Sequence, residues 1–106
     1  MPANIPAPVR GLSLGYRYDG AAGDTLRPGE VFSIADGTGG AVELPPARDT
    51  GGSLVLCLAP TDGSALKINA ASGDLIDDGP TYTLALPQRS QMLVSLGSLR
   101  DWRRII

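Results

Sequence analysis

Glycine and proline punctuate this chain so evenly that an ordinary helix has nowhere to form. Fourteen glycines and nine prolines are spread over 106 residues, and no stretch free of both exceeds nine residues. Inside a helix each glycine costs about 1 kcal/mol and each proline about 3 kcal/mol relative to alanine, so a three-turn helix hardly fits between them. What does fit is a series of short strands bounded by turns.

The alternation of side chains supports that reading. In Val31-Phe32-Ser33-Ile34, Val31 and Ser33 fall on one side and Phe32 and Ile34 on the other, ahead of the flexible run Asp36-Gly37-Thr38-Gly39-Gly40. Ala41-Val42-Glu43-Leu44 alternates likewise and is stopped by Pro45-Pro46. Ser53 to Ala59 is apolar on both faces, which suits a central strand covered on each side. Pro60-Thr61-Asp62-Gly63 is a turn signal, and Ala65 to Asn69 returns with Leu66 and Ile68 inward and Lys67 and Asn69 outward, so the two runs are expected to form a hairpin. Thr81 to Leu86 sets Tyr82, Leu84 and Leu86 on one face, Gln91 to Leu96 sets Met92, Val94 and Leu96, and the last run sets Trp102 and Ile106 against Ile105. Together these predict an all-β fold, a small antiparallel β-sandwich or barrel.

The first thirty residues read differently. Prolines and glycines interrupt a segment whose apolar residues, Ile5, Val9, Leu12, Leu14, Tyr16 and Tyr18, are spaced for an extended chain. From Leu12 to Tyr18 the even positions are apolar and the odd ones polar or glycine, the pattern of a strand added to another surface. The division expected is an extended N-terminal arm over 1–30 and a β-domain over 31–106. Two readings of the arm stand side by side: a docking strand for a partner, or a loosely attached terminus.

Composition narrows the chemistry. The chain is long enough for one core, which in a domain of this size buries only about two-thirds of the unfolded surface. The formal charge is −2 and the longest basic run is Arg103-Arg104 beside Asp101, which disfavours a protein that tracks phosphates. Histidine is absent, removing the commonest general base and zinc ligand together. Cys57 is the only cysteine and lies in an apolar run, so no intrachain disulfide is expected and the thiol reads as a small hydrophobe. Neither a signal peptide nor a run of about 20 apolar residues is present, so synthesis and folding in a cytoplasm, without a membrane partner, are expected.

Asp74, Asp77 and Asp78 form the densest acidic group. As a calcium loop it lacks the twelve-residue ligand spacing and closing glutamate, and as a catalytic pair it lacks a second carboxylate at a defined distance. The simpler reading is turn chemistry, with Asp78-Gly79 ahead of Pro80. Trp102 reads either as a ligand-stacking residue or as the anchor of the last strand, and Arg100, Arg103 and Arg104 either as inter-subunit ion pairs or as solvated charges. Trp102, Arg103, Arg104 and Ile106 are therefore the candidates for self-association or last-strand anchoring. No catalytic residue, metal ligand or cofactor is expected.

The ordered set Val42-Glu43-Leu44-Pro45, Leu54 to Leu58, Gly73-Asp74-Leu75-Ile76-Asp77-Asp78-Gly79, Tyr82-Thr83-Leu84, Leu93-Val94-Ser95-Leu96-Gly97 and Trp102 with Ile105-Ile106 resembles a structural module of tailed bacteriophages. Fibre, spike and capsid-decoration proteins carry such a module. The chain departs from the pattern at Asp77-Asp78, where one residue is inserted, and between Gly97 and Trp102, where the final turn is longer. The resemblance implies a β-rich, usually trimeric, non-enzymatic virion protein. With a short arm and no shaft repeats, the expectation is a capsid decoration, or cement, protein on the outer capsid surface. Its partners would be the major capsid protein and itself as a homotrimer, and it would stabilise the phage head. The alternative is a receptor- or glycan-binding module of a tail or head fibre, with a small polysaccharide hydrolase as a third, poorly supported reading.

Overall fold

The structure, a computed structural model, describes residues 15–34 and 39–105. The described residues form nine strands: β1 (Gly15–Gly20), β2 (Glu30–Ile34), β3 (Gly40–Glu43), β4 (Leu54–Leu58), β5 (Ala65–Asn69), β6 (Leu75–Ile76), β7 (Thr81–Ala85), β8 (Ser90–Ser95) and β9 (Asp101–Ile105). Single 3₁₀ turns at Ala47–Asp49 and Gly97–Leu99 are the only helical pieces among the described residues. The chain is all-β, as its punctuation requires.

Two sheets enclose one core. The larger has six strands in the order β1-β2-β4-β8-β9-β6, and the smaller has three in the order β3-β5-β7. From β2 to β8 the chain changes sheet at every strand, so consecutive strands face each other across the core instead of pairing. This alternation explains why both sheets are mixed: β1–β2, β2–β4, β3–β5 and β6–β9 are parallel, while β4–β8, β5–β7 and β8–β9 are antiparallel. The antiparallel arrangement expected throughout is thus corrected to a mixed one.

The expected hairpin between Ser53–Ala59 and Ala65–Asn69 does not form. The turn is real, with the Asp62 carboxylate accepting the Ser64 N–H at 3.0 Å, but it delivers β5 to the opposite sheet. There β5 pairs with β7, and β4 pairs with β8.

Alternation predicts the inward faces well. Val42, Leu44, Leu66, Ile68 and Leu84 from the small sheet meet Phe32, Val55, Cys57, Leu93 and Trp102 from the large one, all at 0–1% exposure. At about 25 cal/mol per Å² of apolar surface removed from water, this layer is the main source of stability. In β8 the residues turned inward are Gln91, Leu93 and Ser95, which leaves Met92 and Val94 on the outer side.

Residues 15–30, the second half of the expected arm, pair with and pack against the strands that follow. β1 pairs in parallel with β2, Gly15 opposite Glu30 and Tyr16 opposite Val31. Residues 23–26 then line the free edge of β3: the Gly23 and Leu26 N–H groups donate to the Ala41 and Glu43 carbonyls, each at 2.7 Å. Leu26 enters the core at 1% exposure. The stretch 15–30 therefore seals one side of the sandwich. Gly20, at the irregular end of β1, is required by close approach, because a Cβ there would lie 2.3 Å from Phe32 Cε2 and 2.7 Å from the Ser33 carbonyl oxygen.

Candidate functional site: the acidic hairpin and the outer sheet face

The acidic run is a miniature hairpin. The Ile76 N–H donates to the Gly79 carbonyl at 2.6 Å and the Gly79 N–H to the Ile76 carbonyl at 3.0 Å. Between them Asp77 and Asp78 both adopt positive φ, 48° and 72°. Two successive left-handed residues are what a tight two-residue turn of primed type demands, and Asp tolerates that region better than most non-glycine residues. Asp78 supplies the second left-handed turn position.

Arginines of β9 strap this hairpin down. Arg104 donates through Nε to the Asp77 carboxylate. Arg103 reaches Asp77 at 3.5 Å, Asp78 at 3.6 Å and Asp101 at 2.9 Å. The Arg104 hydrogen bond, more than the surrounding charge, holds the Asp77 carboxyl below its usual range and raises the guanidinium in turn. Arg104 also lies over the Tyr82 ring, 4.9 Å from its centroid. The partners that the sequence left open for Arg103 and Arg104 are therefore found within the chain.

Asp74 has a longer reach. Its carboxylate is buried, accepts the Ala47 N–H at 2.8 Å and pairs with Arg100 Nε at 3.3 Å. The Ala47 carbonyl in turn accepts from Ser95 Oγ at 2.7 Å. One 3₁₀ turn is thus held by its N–H to the acidic run and by its carbonyl to β8. This bracket spans 27 residues on one side and 48 on the other, so no local spacing signals it.

A second polar cluster is built on Tyr82. Tyr82 Oη donates to Gln88 Oε1 at 2.6 Å, Gln88 Nε2 donates to Gln91 Oε1 at 2.8 Å, and Gln91 Nε2 donates to the Ile105 carbonyl at 2.8 Å. These amides tie β7, in the small sheet, to β8 and β9 in the large one. Among the described residues no group of three or more His, Cys, Asp or Glu side chains is arranged to hold a metal ion.

The two sheets differ sharply on their outer faces. Outside the small sheet lie Ala41, Glu43, Lys67, Asn69, Thr81 and Thr83, with Thr81 Oγ1 donating to Asn69 Oδ1 at 2.9 Å. Outside the large sheet the register aligns Val31, Leu56, Met92 and Ile105 in one row across four strands, with Leu54 and Val94 in the next. Leu58 extends this face at one end, and Leu75 and Leu96 flank Asp101 at the other. Ile105, Leu75 and Leu96 are 38%, 40% and 36% exposed. The charges of this face, Asp101 and Arg103, neutralise each other. β4, expected to be covered on each side, is covered on its inner face, while Leu54, Leu56 and Leu58 are half-buried on the outer one.

The remaining expected site residues are distributed as follows. Trp102 is fully buried in the core, which makes it the anchor of the last strand and removes it from any surface. Tyr16 and Tyr18 belong to β1 and so to the chain's own sheet. Ile5, Val9, Leu12, Leu14 and Ile106 lie outside the described residues. Compared with known proteins, the chain matches no protein-family model and no curated protein.

Proposed function

We propose that this protein is a non-enzymatic virion structural protein, a capsid decoration protein that acts as a homotrimer and stabilises a phage head from its outer surface. The observation that carries this reading is the use made of the acidic run. The carboxylates of Asp74 and Asp77, the best candidates for chemistry in the sequence, are engaged by a backbone N–H and by arginines to fix a hairpin and a loop. A scaffold built in this way works by presenting surface. The phage identity is supported by the resemblance of the ordered motifs from Val42 to Ile105-Ile106, and the role follows from mass action, since a partner that binds only the assembled shell stabilises it. Capsid contact is assigned to the segment before β1, where Ile5, Val9, Leu12 and Leu14 supply apolar anchors; multivalent display of three such segments raises their effective concentration.

The test is quantitative mass spectrometry of purified particles together with heating of shells with and without the protein. Hundreds of copies per particle and a lower disruption temperature in its absence are expected. A handful of copies would favour the fibre-tip reading, and equal heat resistance would end the cement role.

A further inference from the structure

We propose that Asp62 is a site of spontaneous backbone modification, where the Asp62-Gly63 link closes to a cyclic imide and reopens as isoaspartate with assistance from Ser64. The inference is independent of the capsid role. Such a reaction needs an aspartyl carboxyl, a following amide nitrogen free to attack it, and room for a five-membered ring. Among the described residues Asp precedes Gly at 19–20, 62–63 and 78–79, and the fold treats these pairs differently. Gly20 is crowded by the Phe32 ring and the Ser33 carbonyl oxygen. The Gly79 N–H is engaged, donating to the Ile76 carbonyl at 3.0 Å. The Gly63 N–H has no hydrogen-bond acceptor among the described residues. Asp62 and Gly63 are both exposed, Gly63 takes φ +90°, and nothing lies within 4 Å of the position a Cβ would occupy there.

Ser64 prepares the carboxyl. Its N–H donates to Asp62 Oδ1 at 3.0 Å and its hydroxyl donates to the same oxygen. These bonds span Gly63, so the carboxyl is held against the peptide that carries the attacking nitrogen. Two donors on Oδ1 stabilise the negative charge that develops there as the carbon becomes tetrahedral. Oδ2 takes neither bond and is the oxygen that leaves. The Gly63 N–Asp62 Cγ bond forms and the Cγ–Oδ2 bond breaks, with the amide proton and the acid proton departing on Oδ2 as water. A second water opens the ring at the former main-chain carbonyl, so that the chain now runs through Cγ and the α-carboxylate is released. Mass and charge are unchanged, and water is the only co-reactant. The hydroxyl of Ser64 also favours the ionised carboxyl, which has no neutral leaving group, so the step is followed in mild acid. Isomerisation lengthens by one backbone atom the segment that carries the chain from β4 to β5 in the opposite sheet.

The experiment incubates the folded full chain at 37 °C and about pH 5, digests it, and locates isoaspartate by methyltransferase labelling and electron-transfer fragmentation of the peptides. Position 62 should convert about tenfold faster than position 78 in the same molecules. In urea, which removes both hydrogen-bond patterns, the two rates should become alike. Ser64→Ala should slow position 62 at least about threefold and leave 78 unchanged, Ser64→Thr should restore the rate, and Asp62→Glu, which would need a six-membered ring, should give no signal there. Circular dichroism checks that each variant is folded, and the ratio of the two sites in the parent protein does not depend on any variant. Isoaspartate appearing first at 78, none at 62, a 62-to-78 ratio that is the same in urea, or a Ser64→Ala rate that is unchanged or faster would overturn the proposal.

Discussion

The carboxylate of Asp74 accepts the backbone N–H of Ala47 across 2.8 Å of buried space, joining two loops that the sequence keeps 27 residues apart. Replacing Asp74 by Ala leaves that N–H without an acceptor and frees Arg100. Loss of a buried hydrogen bond to a charged group costs about 1.5–3 kcal/mol. Urea unfolding should show a decrease of that order, and hydrogen exchange should show the Ala47 amide losing protection before the strands do. An unchanged unfolding midpoint would remove Asp74 from the set of residues holding this loop.

At the hairpin tip, backbone conformation and ion pairing pull in opposite directions. Asp78 sits at φ 72° and is mostly exposed, with an ion pair to Arg103 at 3.6 Å. Glycine adopts this region without strain, and an exposed pair contributes about 0–1 kcal/mol. Asp78→Gly is therefore expected to leave stability equal or slightly higher, whereas Asp78→Val, β-branched at a left-handed position, should lower it by about 1–2 kcal/mol. Thermal unfolding of the two variants side by side checks the sign of each.

Gly20→Ala should be among the costlier single-methyl changes in the protein. The added Cβ would meet the Phe32 ring and the Ser33 carbonyl oxygen at the margin of the core. Relief requires β1 or Phe32 to move, for which about 1–3 kcal/mol is expected. Ala at Gly52, where φ is +82° and nothing crowds the site, tests backbone strain without a clash and gives the comparison.

Stability should be insensitive to pH between about 5 and 8, because no histidine is present to titrate there. The Asp77 and Asp62 carboxyls are held below their ordinary value of 3.8, Asp77 chiefly by Arg104 and Asp62 chiefly by the Ser64 hydroxyl. A depressed folded-state value means that the stabilisation is present above the unfolded value and is lost as pH falls through the folded one. Unfolding midpoints should accordingly decline below about pH 4, and Asp77→Asn should flatten that decline.

Burial pushes the Cys57 thiol from 9.0 up to about 12. Because the folded state keeps its proton longer than the unfolded chain, this contribution is present below pH 9 and lost as pH rises above it. The native thiol should resist an aromatic disulfide reagent at pH 8 and react at the rate of opening, so labelling kinetics report how often β4 is exposed. Rapid stoichiometric labelling would contradict the central place of β4.

Sequence periodicity revealed the faces of β3 and β5 because alternation depends only on the pleat: Leu66 and Ile68 turn inward as read, and Val42 and Leu44 share the buried side of their alternating run. It could not reveal neighbours. Pro60-Thr61-Asp62-Gly63 turns the chain, yet a turn does not say whether the next strand lies beside the last or opposite it, and here it lies opposite. The same ambiguity hid the pairing of β1 with β2, since Leu12 to Tyr18 has the pattern of an added strand whichever sheet receives it. At the candidate site, the turn role of Asp77 and Asp78 was readable from local chemistry. The link from Asp74 to Ala47 was not, because it exists only once the two sheets are closed.

Placing β9 between β8 and β6 has a kinetic consequence. β6 can join its sheet only through Leu75 opposite Asp101 and Ile76 opposite Trp102, contacts between distant parts of the chain. Before β9 docks, the core lacks its largest side chain. The ensemble at that stage holds leucine-rich strands with open edges, the condition under which chains associate wrongly. Refolding yield should therefore fall steeply with protein concentration, and a brief high-dilution step should recover it.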